Sequence, residues 1–280
     1  LPEGWCGKNN AMQTGIKQAK GEWLCMIDAD CKQTSNRTLS VAVEHARKNK
    51  IDMFSILPDL EMEGFWEKVI QPVCSGVMMI WYSPDKVNNP KKPNAYANGA
   101  FMMMPRESYE AVGTHEAVKD QVNEDMHMAD LIKKSGKKLR VLRGDGLYKV
   151  RMYTSFDQII RGWSRIFFGT FGTLKRLIIS FLLMAIMGIL PYAAAAVGLL
   201  WFHCGAGSTT ALACGIAGLT GVLLQQSVIF RYYRMLGNAG TLALTYAMAC
   251  VITLYVIIIS MTKLRAGATV TWKSTTYSKT

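Results

Sequence analysis

Glu22-Trp23-Leu24-Cys25-Met26-Ile27-Asp28-Ala29-Asp30 reads as a short buried strand that runs out into two carboxylates bracketing one small residue. Downstream, Ser35 or Asn36 can cap a helix predicted to run to about Lys50. Asp52 to Leu57 is a second strand, Gly64 to Trp81 a helix, and Ser83 to Asn94 a loop rich in Pro, Asn and Lys. Gly99 to Met104 is another short strand, and Pro105 suits the first turn of the helix that follows. Val122 to Lys134 reads as a helix closed by Gly136, and Lys138 to Leu142 as a strand. Strands separated by helices predict an α/β fold with a mostly parallel sheet covered by helices. Ligands in such sheets sit beyond the carboxyl ends of the strands, where Asp28 and Asp30 fall.

The last third of the chain has a different character. Residues 177 to 262 hold two charged side chains, Arg231 and Arg234, and every carboxylate lies before them. A helix crossing about 30 Å of hydrocarbon needs about 20 mostly apolar residues, and three stretches qualify: 177–202, 209–230 and 241–261. A soluble helical core would leave each helix a polar face, and these are apolar all round apart from small residues. Pro191 predicts a kink in the first span. Gln225 and Gln226, adjacent in the second, are expected to make helix-packing contacts. The expected organisation is a head over 1–157, an interfacial helix over 158–176, transmembrane helices over 177–262 and a tail over 263–280.

A net charge of +12 and a pI near 9.4 raise nucleic acid as a partner, but no helix-turn-helix, zinc-finger or RNA-recognition pattern supports it. Anionic lipid headgroups and a phosphorylated substrate account for the charge better, and Arg161, Arg165, Lys175 and Arg176 sit beside the first span. Seven scattered cysteines without C-x-x-C or zinc spacing predict a reduced, cytoplasmic head on a multi-pass membrane protein. With the head inside, Arg231 and Arg234 obey the positive-inside rule. Three spans then place Lys263, Arg265, Lys273 and Lys279 outside, so either one segment is re-entrant or the tail breaks the rule. Val270 to Tyr277 alternates apolar and polar residues, as a surface hairpin would.

Three sets of residues carry chemistry. Asp28 and Asp30 can reach a common divalent ion, Mg2+ or Mn2+, of the kind held by one or two carboxylates and substrate phosphates. Glu124-Asp125 opens a helix; a carboxylate there either complements the helix dipole or takes a proton from an acceptor hydroxyl. His127 close by is a ligand, a base or a structural residue. Gln158-Ile159-Ile160-Arg161-Gly162-Trp163, just before the spans, combines an amide, a guanidinium suited to pyrophosphate and an indole suited to stacking or to the membrane interface.

In this order, D-x-D at a strand end, then E-D, then a Q-x-x-R-W-like segment, then spans, the chain resembles the membrane-bound inverting glycosyltransferases of family 2, of the GT-A type. The opening Leu1-Pro2-Glu3-Gly4-Trp5-Cys6-Gly7-Lys8-Asn9-Asn10-Ala11 is similar to the segment those enzymes place before the D-x-D strand. The likeness is greatest to the lipid-modifying branch, which includes carotenoid, hopanoid-associated and ceramide glycosyltransferases. The resemblance implies a Rossmann-like head, a nucleotide-diphosphate-sugar donor and a lipid or lipid-linked acceptor. It makes Asp28 and Asp30 the metal and diphosphate ligands and Asp125 the catalytic base. Gln158, Arg161 and Trp163 would hold the diphosphate and close the acceptor side, Lys8 would line the donor side, and Asn98, Gly99 and Glu124 the acceptor pocket. Gly162 departs from the family spacing, and the family's first nucleotide-binding strand would precede Leu1. The alternatives are a processive polysaccharide synthase and an inactive membrane scaffold that keeps the fold.

Overall fold

A computed structural model describes residues 1–205, 207–264, 269–272 and 275–278. Its contacts divide the chain into two compact units, Leu1–Glu61 with Met78–Met152, and Met62–Val77 with Tyr153–Thr280.

The first unit is α/β. Helix α1 (Gly7–Gln18) precedes β1 (Trp23–Ile27) and β2 (Cys31–Gln33); α2 (Thr38–Lys48) leads to β3 (Met53–Leu57) and the short β4 (Asp59–Leu60). Helix α3 (Phe65–Tyr82) runs from the second unit into the first and is followed by α4 (Pro84–Val87). Then come β5 (Phe101–Pro105), α5 (Arg106–Ala111), a 3-10 turn at His115–Val118, α6 (Glu124–Lys134), β6 (Leu139–Arg143) and β7 (Tyr148–Val150). The main sheet has the order β1-β5-β3-β6, and a smaller one the order β2-β7-β4.

The main sheet is mixed: β1, β3 and β6 run in one direction, as expected of a mostly parallel sheet, and β5 runs against them. β3 pairs with β6 in parallel, but β5 lies antiparallel to both β1 and β3. The cause lies in the connection. A parallel crossover needs a connection that carries the chain back to the strand's start. The chain re-enters the sheet instead at the carboxyl ends of β1 and β3. There Asp28 N donates to Ala100 O, Asn98 N donates to Ser55 Oγ at 2.8 Å, and β5 runs back down between the two strands. Burial follows position: β3 and β5, central, are buried almost throughout, while β1 alternates as an edge strand does. Ala42 and Ala46 of α2 pack with Phe54, Ile56, Phe101, Met103 and Tyr148 to form the core of this face.

The second unit is helical. It contains α7 (Phe156–Phe171), α8 (Leu174–Met184), a π-helical turn (Ala185–Ile189), α9 (Leu190–Cys204), α10 (Thr209–Met235), a 3-10 turn (Gly240–Thr245) and α11 (Tyr246–Thr262). Among the described residues three helical stretches are long and apolar enough to cross a membrane: Leu174–Cys204, Thr209–Met235 and Gly240–Thr262. Pro191 lies two residues beyond the last residue of the π-turn, Ile189. Having no N–H, it leaves Met187 O without its helical donor, and the Gln225 side-chain amide donates to that oxygen. Gln226 Nε2 donates to Tyr192 Oη at 2.6 Å. α9 and α10 approach through small residues: a Cβ on Gly198 would lie 2.3 Å from Gly215 N, and one on Gly218 2.3 Å from Ala195 N.

The first part of α3 groups with these helices. Val69 to Cys74 are buried, and Tyr232 and Tyr233 donate their hydroxyls to Pro72 O and Val69 O. Near the carboxyl end, β8 (Thr269–Trp272) and β9 (Thr275–Ser278) pair antiparallel. Arg265, Lys273 and Lys279 lie outside the described residues.

Candidate active site

The carboxyl end of β1 brings Asp28 to the surface of the first unit, half-buried, with Asp30 exposed beyond it. From α1, Lys8 Nζ lies 2.8 Å from Asp28 Oδ1 and 2.8 Å from Glu124 Oε1. One ammonium therefore joins the D-x-D and E-D motifs, which are nearly a hundred residues apart in sequence. Glu124 itself is buried.

Asp125 is anchored by the backbone. Gly99 N donates to its Oδ2 and Met126 N to its Oδ1, both at 2.8 Å. A Cβ on Gly99 would lie 3.1 Å from Asp125 Oδ2 and 3.1 Å from Lys8 Nζ, so the three groups share one small volume. Gly99 is in turn placed by Asn98, whose Oδ1 accepts from Ala100 N at 2.9 Å and whose backbone meets the buried Ser55.

The charges perturb one another. Burial opposes the charge on Lys8, but Glu124, Asp28 and Asp125 outweigh it and hold its pKa above the usual lysine range. Burial, then repulsion from Asp125, pushes Glu124 up, against the pull of Lys8. Burial also raises Asp125; Lys8 and the two backbone donors offset part of this. Such a carboxylate is a stronger base than a solvated one.

A supporting layer escaped sequence reading. Asn9, fully buried, donates Nδ2 to Val118 O, Lys119 O and Gln121 O, and Cys6 N donates to Lys119 O. His115 is buried with Nδ1 2.8 Å from Tyr109 Oη, and Tyr109 Oη also meets Gln13 Oε1 at 2.8 Å. Tyr96 approaches Asp125 and hydrogen-bonds Asn98, and its pKa is raised first by burial and then by Asp125. Its position three residues before Gly99 was the one signal available. His127 is exposed.

The third set of residues belongs to the second unit. Ser155 caps α7, and Gln158 Oε1 accepts from Thr154 N at 3.1 Å. Arg161 is exposed and paired with Asp157 one turn earlier. Trp163 is buried against Phe167, at 5.6 Å between ring centroids. Gly162 has a local reason: a Cβ there would lie 2.1 Å from Tyr153 Cζ, so the Tyr153 ring rests on the helix backbone at this point.

Among the described residues no group of three or more His, Cys, Asp and Glu side chains could hold a metal ion. Asp28 and Asp30 fit a more open arrangement, two accessible carboxylates whose shell is completed by substrate phosphates and water, as Mg2+ and Mn2+ accept.

Residues 1–113 match the model of glycosyl transferase family 2. Among curated proteins none matches the chain. Among solved structures it is similar to the mannosyltransferase PcManGT from Pyrobaculum calidifontis in complex with GDP-Man and Mn2+, at 18% identity and a TM-score of 0.44. That similarity covers 89% of this chain and 66% of the other, so this chain spans just under two thirds of its length. The matching stretch carries Lys8, Asp28, Asp30 and Gly99.

Proposed function

We propose that the protein is a membrane-bound glycosyltransferase that moves a sugar from a nucleotide-diphosphate donor to the hydroxyl of a lipid or lipid-linked acceptor, with inversion. The observation that carries this reading is the half-buried, doubly anchored Asp125 carboxylate, set beside the ammonium that also holds Asp28. Asp125 takes the acceptor's hydroxyl proton as that oxygen bonds to the anomeric carbon. The bond from the anomeric carbon to the diphosphate oxygen breaks, and the nucleoside diphosphate leaves with the electron pair. Attack opposite the leaving group inverts the configuration, with no covalent enzyme intermediate.

Asp28 and Asp30 would hold the Mg2+ or Mn2+, which supplies charge neutralisation for the departing diphosphate. Lys8 adds a second positive centre there. By the family resemblance Gln158 and Arg161 bind the diphosphate. Trp163, buried, contributes by holding α7 in place. Gly99 and Asn98 shape the acceptor side around Asp125, and Glu124 keeps Lys8 in position. The three span-length helices support a membrane base; such a base would present an apolar acceptor from the bilayer, and the head is assigned to the cytoplasm by its scattered cysteines.

The test is transfer of radiolabelled sugar from a panel of nucleotide sugars into the organic-extractable fraction of membranes, with Asp125→Asn and chelator as controls. Metal-dependent lipid labelling that the substitution abolishes is the expected result. Label confined to high-molecular-weight aqueous material would show a polysaccharide synthase instead, and no labelling from any donor an inactive scaffold.

A further inference from the structure

The two contacts of Lys8 bear on the order in which ligands enter. We propose that Lys8 competes with the divalent ion for Asp28, so that the metal is taken up as its complex with the donor's diphosphate and not ahead of it. This rests on the reading that Asp28 and Asp30 hold the metal.

An ammonium 2.8 Å from Asp28 Oδ1 occupies a position from which that oxygen would otherwise bind a cation. A dication arriving alone must share the carboxylate with Lys8 or expel it, and two positive centres on one carboxylate repel each other. A metal–diphosphate complex brings the compensating negative charge with it. The ion takes the aspartates while phosphate oxygens accept the displaced ammonium.

The mounting of Lys8 suits such an exchange. Asn9 and Cys6 fix the start of α1 to residues 118–121, so the exchange requires the flexible side chain to move while the helix stays. Glu124 Oε1, also at 2.8 Å, gives the ammonium a second anionic partner when it leaves Asp28. One lysine with two acidic partners, one half-exposed and one buried, is the arrangement an exchangeable counter-ion needs.

Manganese binding tests this on the purified full-length protein in detergent, by the electron paramagnetic resonance signal of free Mn2+. Titrations use Mn2+ alone and Mn2+ with each of UDP, GDP and ADP. Wild type should bind Mn2+ alone weakly and at least about tenfold more tightly with the accepted nucleoside diphosphate, a coupling that needs no variant. Lys8→Gln should bind Mn2+ alone about five- to tenfold more tightly than wild type, and the charge-retaining Lys8→Arg should stay near wild type. Equal Mn2+ affinity in wild type with and without every nucleotide overturns the proposal. So does a Lys8→Gln variant no tighter than wild type while Asp28→Asn abolishes binding; in either case the metal stays assigned to the aspartates. Mn2+ binding that survives Asp28→Asn overturns the metal reading itself.

Discussion

Gly99→Ala should slow sugar transfer without unfolding the protein. Gly99 does not occupy the positive-φ region, so alanine fits its backbone and any cost arises from the new methyl group. That Cβ would stand 3.1 Å from both Lys8 Nζ and Asp125 Oδ2, several tenths of an ångström inside ordinary contact. The lysine terminus can swing aside at little cost. The carboxylate cannot, because Gly99 N and Met126 N hold its two oxygens at 2.8 Å each. Relief must come from rotating Asp125 and stretching one of these charge-assisted hydrogen bonds, each worth about 1.5–3 kcal/mol. Misplacing a base by this much lowers kcat about ten- to hundredfold, whereas donor KM, governed by groups around Asp28, changes less than about threefold. The assay pairs initial rates of lipid labelling at varied donor with a thermal unfolding midpoint of the detergent-solubilised protein. A kcat within twofold of wild type would refute the argument that this contact sets the base. A fall in rate that tracks a large drop in midpoint would refute the claim that the backbone accepts alanine.

Gly162→Ala should destabilise the helical unit by about 1–3 kcal/mol, because the Tyr153 ring must leave the α7 backbone; Gly162→Ala combined with Tyr153→Ala should recover part of the lost midpoint. Gln225→Leu strips the donor from the Met187 carbonyl that Pro191 leaves open, at about 0.5–2 kcal/mol, readable as a lower unfolding midpoint in detergent. Burial, reinforced by the charge of Lys8, lowers His115 to about 4 from an ordinary 6.5. Its neutral form is the native one, so its contribution is full above about 6.5 and is lost as pH falls through about 4, up to about 3 kcal/mol. Glu124 acts in the opposite sense: burial raises it, so its contribution is full at low pH and is lost as pH rises. The wild-type curve therefore mixes both groups, and the difference between wild type and His115→Asn isolates the histidine; a difference independent of pH between 4 and 6.5 would remove it as the cause.

Strand and helix positions were legible because their signals are local. Met53–Leu57 and Phe101–Pro105 are apolar runs bounded by turn residues, Leu174–Cys204 is span-length, and Gly136, at φ +76, closes α6 as its position suggested. The direction of β5 was not legible, since an apolar run looks alike in either orientation. It depends on where the chain re-enters the sheet, here at the carboxyl ends of β1 and β3, which no local pattern marks. The two glutamines of α10 could be read as packing residues from composition. That Gln225 serves a carbonyl opened by Pro191 required the register between two helices.

The candidate site divides in the same way. Asp28, Asp30, Glu124 and Asp125 announce themselves as acidic pairs at element ends, and Gly99 through the residues around it. Lys8 is one of thirty-two basic residues, and nothing local marks it as the one between both pairs. Its importance comes from α1 as a mount. Within one helical turn Cys6 and Asn9 hold residues 118–121, which lead into Glu124, while Lys8 reaches Asp28 at the end of β1. In the proposed reaction Asp28 serves the leaving group and Asp125 the acceptor; residues 99 and 100 link them through Gly99 N to Asp125 and Asp28 N to Ala100 O, and a helix that carries neither carboxylate adds a second link. A change at Asn9, which touches no reacting group, would then act on catalysis through the distance between motifs and not through either motif alone.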